Sequence, residues 1–227
     1  DGSGDQDGSG NGVFGQRYDT NGNEVDGEFQ VNTYFMGSQP PEDLIGLEDG
    51  GFLAIYRDSS DYFGQYSDLL AQRYDVNGNK IGNEFLVNSS TDGNQEDASA
   101  VSLNNGNIVI TWWGDNNQDG DRGGIFGQLY NSDGNKIGSE FQVNTQYEGN
   151  QYSPDVIALN DGGFRVTWAS NSWSGSGMDG IFSQKFNSNA EKIGPERQVS
   201  DENTHFHNTP VTTELYLTGL PDRKIID

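Results

Sequence analysis

The residues of this chain best suited to chemistry are carboxylates and amides gathered in short glycine-bearing loops. Asp5-Gln6-Asp7-Gly8-Ser9-Gly10-Asn11-Gly12 and Asp115-Asn116-Asn117-Gln118-Asp119-Gly120-Asp121 interleave oxygen-bearing side chains with glycine. A calcium ion takes about six to eight hard oxygen ligands, and glycine lets the chain turn tightly around it. Asp5, Asp7, Asp115, Asn117, Asp119 and Asp121 are therefore candidate Ca2+ ligands, with Asp179 from a looser version of the loop (Asn171 to Asp179). A second loose version runs from Asp58 to Asp68. The plain alternative is a solvated polar loop of turn-forming residues.

Other constellations carry less chemistry. Asp19-Thr20-Asn21-Gly22-Asn23 opens like a helix–loop–helix calcium loop, but no closing bidentate Glu follows at the required distance. It reads instead as an Asx-stabilised hairpin turn with a left-handed glycine. Gln39, Gln95, Gln151 and His207 share one register position and could ring a central channel; the alternative is a loop residue bonded to backbone. Trp113, Trp173, Tyr62, Tyr66, Tyr147 and Tyr152 lie at loop edges, where aromatic faces could stack on sugar rings. His205 and His207 are the only histidines, no third metal ligand is identifiable by spacing, and no Gly-x-Ser-x-Gly nucleophile turn is present. The chain is therefore read as non-enzymatic.

The elements that must position these loops recur at a fixed step. Phe14-Gly15-Gln16-Arg17-Tyr18-Asp19 returns as Leu70-Ala71-Gln72-Arg73-Tyr74-Asp75, Phe126-Gly127-Gln128-Leu129-Tyr130-Asn131 and Phe182-Ser183-Gln184-Lys185-Phe186-Asn187, each 56 residues on. Glu28-Phe29-Gln30-Val31-Asn32 and Leu47-Glu48-Asp49-Gly50-Gly51-Phe52 recur at the same step. Periods of this size mark arrays, solenoids or propellers. Within the third copy, Ser153 to Leu159, Phe164 to Trp168, Ile181 to Phe186 and Glu196 to Val199 read as four strands, the first two joined by Asn160-Asp161-Gly162-Gly163. Four antiparallel strands per copy predict an all-β, four-bladed β-propeller. The phasing is about 1–40, 41–96, 97–152 and 153–208, with 209–227 closing the first blade in a two-plus-two ring over a single domain, 1–227. Tyr56, Trp112 and Trp168, with Phe14, Phe126 and Phe182, are expected between blades.

Composition sets the outer bounds. A net charge of −23 excludes nucleic acid, whose phosphates need clustered Lys and Arg, and disfavours an anionic membrane surface. No apolar run approaches a membrane span. Cysteine is absent, so neither disulfides nor thiol chemistry contribute. The opening Gly/Asp loop reads as part of a mature or excised segment of a longer protein.

The motifs Phe14-Gly15-Gln16-Arg17-Tyr18-Asp19, Ile137-Gly138 with Glu140-Phe141-Gln142-Val143-Asn144, and Leu159-Asn160-Asp161-Gly162-Gly163-Phe164 with Val166-Thr167-Trp168 resemble the tandem repeat of large secreted bacterial and cyanobacterial surface proteins, often found beside RTX-type calcium-binding segments. The resemblance covers about residues 1–200. It implies an extracellular or cell-surface location, bound Ca2+ and a structural or adhesive role, with extracellular polysaccharide or a cell-surface component as partner. A lectin-like propeller and a sialidase-type glycoside hydrolase are the alternatives.

Overall fold

The computed structural model describes residues 12–33, 37–59, 66–115, 118–171 and 180–200. Fourteen strands and no helix occur among them: β1 (Phe14–Tyr18), β2 (Glu24–Gln30), β3 (Pro41–Gly46), β4 (Phe52–Asp58), β5 (Asp68–Tyr74), β6 (Lys80–Leu86), β7 (Gln95–Ser102), β8 (Ile108–Gly114), β9 (Gly124–Tyr130), β10 (Lys136–Gln142), β11 (Asn150–Ala158), β12 (Phe164–Asn171), β13 (Gly180–Phe186) and β14 (Lys192–Gln198). Three antiparallel sheets have the orders β3-β4-β5-β6, β7-β8-β9-β10 and β11-β12-β13-β14, and β1 pairs with β2. This is a four-bladed β-propeller, of which the described residues form three complete blades and two strands of the fourth. The segment expected to close that blade, 209–227, lies outside the described residues.

Strand composition explains the layering. Middle strands are apolar on both faces, as in Ile108-Val109-Ile110-Thr111-Trp112, because both faces are covered by neighbouring blades. Outer strands β6, β10 and β14 expose their first halves and keep only their last residues partly covered. The first strands β3, β7 and β11 lie side by side at the inner rim.

The core sits in the seams. Leu53, Ile55, Leu69 and Ala71 of one blade pack on Ala98, Ile110, Trp112 and Tyr130 of the next. Val109 and Leu129 meet Val156, Val166 and Trp168 in the following seam. Val13 and Val31 meet Ala54, Tyr56 and Tyr74 in the seam before. Tyr56, Trp112 and Trp168 are thus buried between blades, as their register predicts.

A polar clasp repeats across each seam. Glu84 Oε2 accepts the Thr33 N–H at 2.9 Å, Glu140 Oε2 that of Ser89 at 2.7 Å, and Glu196 Oε2 that of Thr145 at 2.5 Å. Lys80, Lys136 and Lys192 donate to the hydroxyls of the same three residues at 3.0–3.1 Å. The hairpin turns follow the glycine rule at one instructive place. Gly22, Gly78 and Gly134 hold φ near +80°, and Ala190 takes the fourth equivalent position at φ 62°, where an L side chain is strained.

Candidate functional site

The acidic loop of the second blade fastens the chain to itself. Asp115 accepts the Asn94 N–H at 2.7 Å and its Nδ2 at 3.1 Å. Asp119 Oδ2 accepts Asn144 Nδ2 at 3.0 Å, and Asp121 Oδ2 accepts the Gly149 N–H at 2.8 Å. These carboxylates thus serve separate partners at the entries to β7 and β11. Among the described residues no three His, Asp or Glu side chains form a group able to hold a metal ion. Asp5, Asp7, Asn117, Asp179, His205 and His207 lie outside the described residues, as do Tyr62 and Trp173.

Gln39, Gln95 and Gln151 are fully buried. Asn32 and Asn144 donate to the Gln39 and Gln151 carbonyls at 3.3 and 3.1 Å, and Trp112 Nε1 donates to that of Gln95 at 2.9 Å. Asn32 and Asn144 follow the outer strands of the preceding blades, and Trp112 lies in the same blade as Gln95. Asp19 Oδ1 accepts the N–H groups of Asn21 and Asn23, both at 2.8 Å, which makes the Asp19 segment the Asx turn that its residues predict.

The loop-bearing face, where β4 and β8 end and β3 and β7 begin, holds a charged cluster that the repeat does not forecast. A bulge sets its geometry. Pro41 pairs with Tyr56 and Asp43 with Ile55, so Glu42 is the extra residue, and a bulge re-aims the side chains beside it. On β4, Arg57 bridges two blades: its Nη1 lies 2.7 Å from Glu96 Oε2, and its Nε 3.6 Å from Glu42 Oε1. Glu96 Oε1 accepts the Ser67 hydroxyl at 2.8 Å, and Glu42 Oε2 accepts the Ala98 N–H at 3.1 Å. At the same register, Glu42 is replaced by Ala98 and Pro154, Arg57 by Trp113 and Ala169, and Glu96 by Pro40 and Tyr152. The cluster therefore breaks the symmetry at one seam. That was its available signal: charged residues where the other copies carry apolar ones.

Around it stand aromatic rings of unequal use. Tyr66 directly precedes Ser67 and is 42% exposed, while Tyr147 is 51% exposed. Trp113 is half-buried, with Nε1 donating to Asn150 Oδ1 at 3.3 Å. Of these three rings, the two tyrosines offer a free face.

Burial pushes the Glu42 carboxyl above the usual range; the Ala98 N–H and Arg57 oppose this, and Asp97 and Glu96 add to it. Burial also raises Asp68 and Glu196. The folded state holds these protons at a pH where the unfolded chain has released them. The resulting stabilisation is complete below the unfolded values of 4.5 for Glu and 3.8 for Asp, and is lost as pH rises through the raised folded values. Relief of self-repulsion at a net charge of −23 acts in the same direction. The melting temperature is therefore expected to rise on acidification from pH 7 toward these unfolded values, and Glu42→Gln should flatten that rise. Differential scanning calorimetry across this range decides; a falling melting temperature contradicts the assignment.

Comparison with known proteins gives fold likeness only. No protein-family model and no curated protein matches the chain. Among solved structures it is similar to a thermostable family-43 glycoside hydrolase (12% identity, 83% of this chain and 72% of that one, TM-score 0.47). It is also similar to an endo-arabinase from Bacteroides thetaiotaomicron (17% identity, 81% and 70%, TM-score 0.48). A protein of unknown function from Dyadobacter fermentans follows (9% identity, 72% and 70%, TM-score 0.35). Two of these are glycoside hydrolases, where a non-enzymatic, calcium-binding structural or adhesive module was expected; the likeness to them is one of fold alone.

Proposed function

We propose that this propeller is a carbohydrate-binding protein that takes polysaccharide on its loop-bearing face, at Glu42, Arg57 and Glu96. The carrying observation is that these three groups meet at one seam and have no counterpart at the equivalent positions. Sugar hydroxyls both donate and accept, so they suit a surface offering carboxylate acceptors beside guanidinium donors. Tyr66, one residue from the Glu96 partner Ser67, supplies an apolar ring face for stacking on a sugar.

Screening the protein on a glycan array, then titrating the strongest hit by calorimetry, tests this. Arg57→Leu and Glu96→Gln are each expected to weaken binding by about tenfold or more, the usual loss of a hydrogen bond to a charged group. An array without hits, or full affinity in Arg57→Leu, overturns the proposal.

A second reading, cleavage of the bound glycan, is favoured by Glu42. Burial pushes its carboxyl above the usual range, the direction a general acid needs. Release of reducing ends from the array hit, abolished in Glu42→Gln, would support it. Intact glycan after long incubation would dismiss it.

A further inference from the structure

The opposite face carries a cleft of about 340 Å³ between the first and second complete blades, lined by Leu47, Glu48, Asp49, Arg73, Gly106 and Ser132. Its origin is visible by comparison with the seam before it. There Arg17, which occupies the register position of Arg73, reaches across to the next turn and donates to the carbonyls of Asn77 and Val76. It packs so closely over Gly78 that a Cβ there would stand 2.9 Å from Arg17 Cδ. Arg73 does not cross. Its Nη2 is held by Asp49 Oδ2 at 2.5 Å, within its own blade, and the equivalent Gly134 meets Phe85 instead. The space that Arg17 fills in one seam is open in the next.

The lining restricts the occupant. The Arg73 side chain is only 14% exposed, and its Nε is a buried donor with no hydrogen-bond partner. The carboxylates of Asp49 and Glu48 stand beside it as acceptors, and Ser132 adds a hydroxyl. Gly106 keeps the floor clear: a Cβ there would lie 3.2 Å from Glu48 Oε2. Two carboxylates disfavour phosphate and other anions, and the guanidinium disfavours a metal cation. Only Leu47 is apolar, so an apolar ligand finds little cover. The remaining class has vicinal groups that accept from Arg73 while donating to Glu48 and Asp49. Hydroxyls of a neutral sugar do both. The volume is at the small end of ligand sites and suits one ring.

We propose that this cleft is a second, monosaccharide-sized sugar site, independent of the loop-bearing face. The molecule contains its own control. The register equivalents in the next seam are Asn104, Asn105 and Leu129, so the same fold exists there without the charged lining.

The test titrates the ¹⁵N-labelled chain with methyl glycosides of mannose, galactose and arabinose, following backbone amides by NMR. Shifts at Glu48, Gly106 and Ser132 are expected, weakened by about tenfold or more in affinity by Arg73→Leu. The doubly substituted Asp49→Asn, Arg73→Leu chain copies the next seam, should fold, and should lose those shifts. Arg57→Leu should leave them in place. Shifts confined to Ser67 and Ala98 would leave the loop-face reading standing and overturn this one. No shift with any glycoside, or full affinity in Arg73→Leu, overturns it as well.

Discussion

Trp112→Ala is expected to destabilise the propeller by about 4–5 kcal/mol, at the upper end for a large core truncation. Trp112 is completely buried in the seam cluster it shares with Leu53, Ile55 and Leu69 of the preceding blade, and its loss leaves a cavity between two rigid sheets. The indole N–H also satisfies the Gln95 carbonyl oxygen at 2.9 Å, so truncation strands a buried acceptor. Trp112→Phe separates the two effects. It keeps most of the ring volume, loses the donor, and should cost about 1–3 kcal/mol. Urea unfolding of the three proteins measures both steps. A loss below about 1 kcal/mol for the alanine variant would mean that the seam is not the core.

Asn144→Asp should cost about 3–5 kcal/mol at neutral pH, the range for a buried charge without a partner. The Asn144 Oδ1 accepts the Ile125 N–H at 2.9 Å, and this bond survives the change. The Nδ2 donates to Asp119 Oδ2, the Gln146 carbonyl and Gln151 Oε1 at 3.0–3.1 Å. An aspartate would turn a second carboxylate oxygen toward three acceptors, one of them the Asp119 carboxyl oxygen. Lowering the pH should restore part of the loss, because protonation returns a donor. Asn144→Ser should be far milder, since Ser200 takes this register position and accepts the Ile181 N–H at 2.9 Å. Equal melting temperatures for the Asp and Ser variants would contradict this account of the network.

The fold was legible in the sequence because its signals are local and repeated. Period-2 alternation in Phe164 to Trp168, and glycine at the left-handed turn position Gly162, are dictated by strand and turn geometry wherever they occur. Strand ends were less legible. Ser153 to Leu159 begins three residues earlier as β11, because Asn150 and Gln151 pair with Asn171 and Ser170, polar residues that leave no apolar pattern. The site was the least legible part. Arg57 acts through Glu96 of another blade, a distance along the chain that spacing does not encode, and it departs from the repeat that revealed everything else. The glutamines were visible as a set, but the Asn and Trp donors that hold them belong to separate segments.

The clasp between seams has a consequence for how such a chain can change its length. Each blade is recognised by the one before it through Glu and Lys on a single outer strand and the segment at 33, 89 or 145. Coupling of this nearest-neighbour kind makes stability roughly a sum over units and junctions. A unit of 56 residues can therefore be duplicated or excised in frame, starting at any point within it, and the new junction arrives already carrying both halves of its latch. The first copy is the exception, with Glu24 where the others have Lys80, Lys136 and Lys192. A junction made onto that copy lacks the latch's cation, so this seam forms without the Lys that the other three copies share.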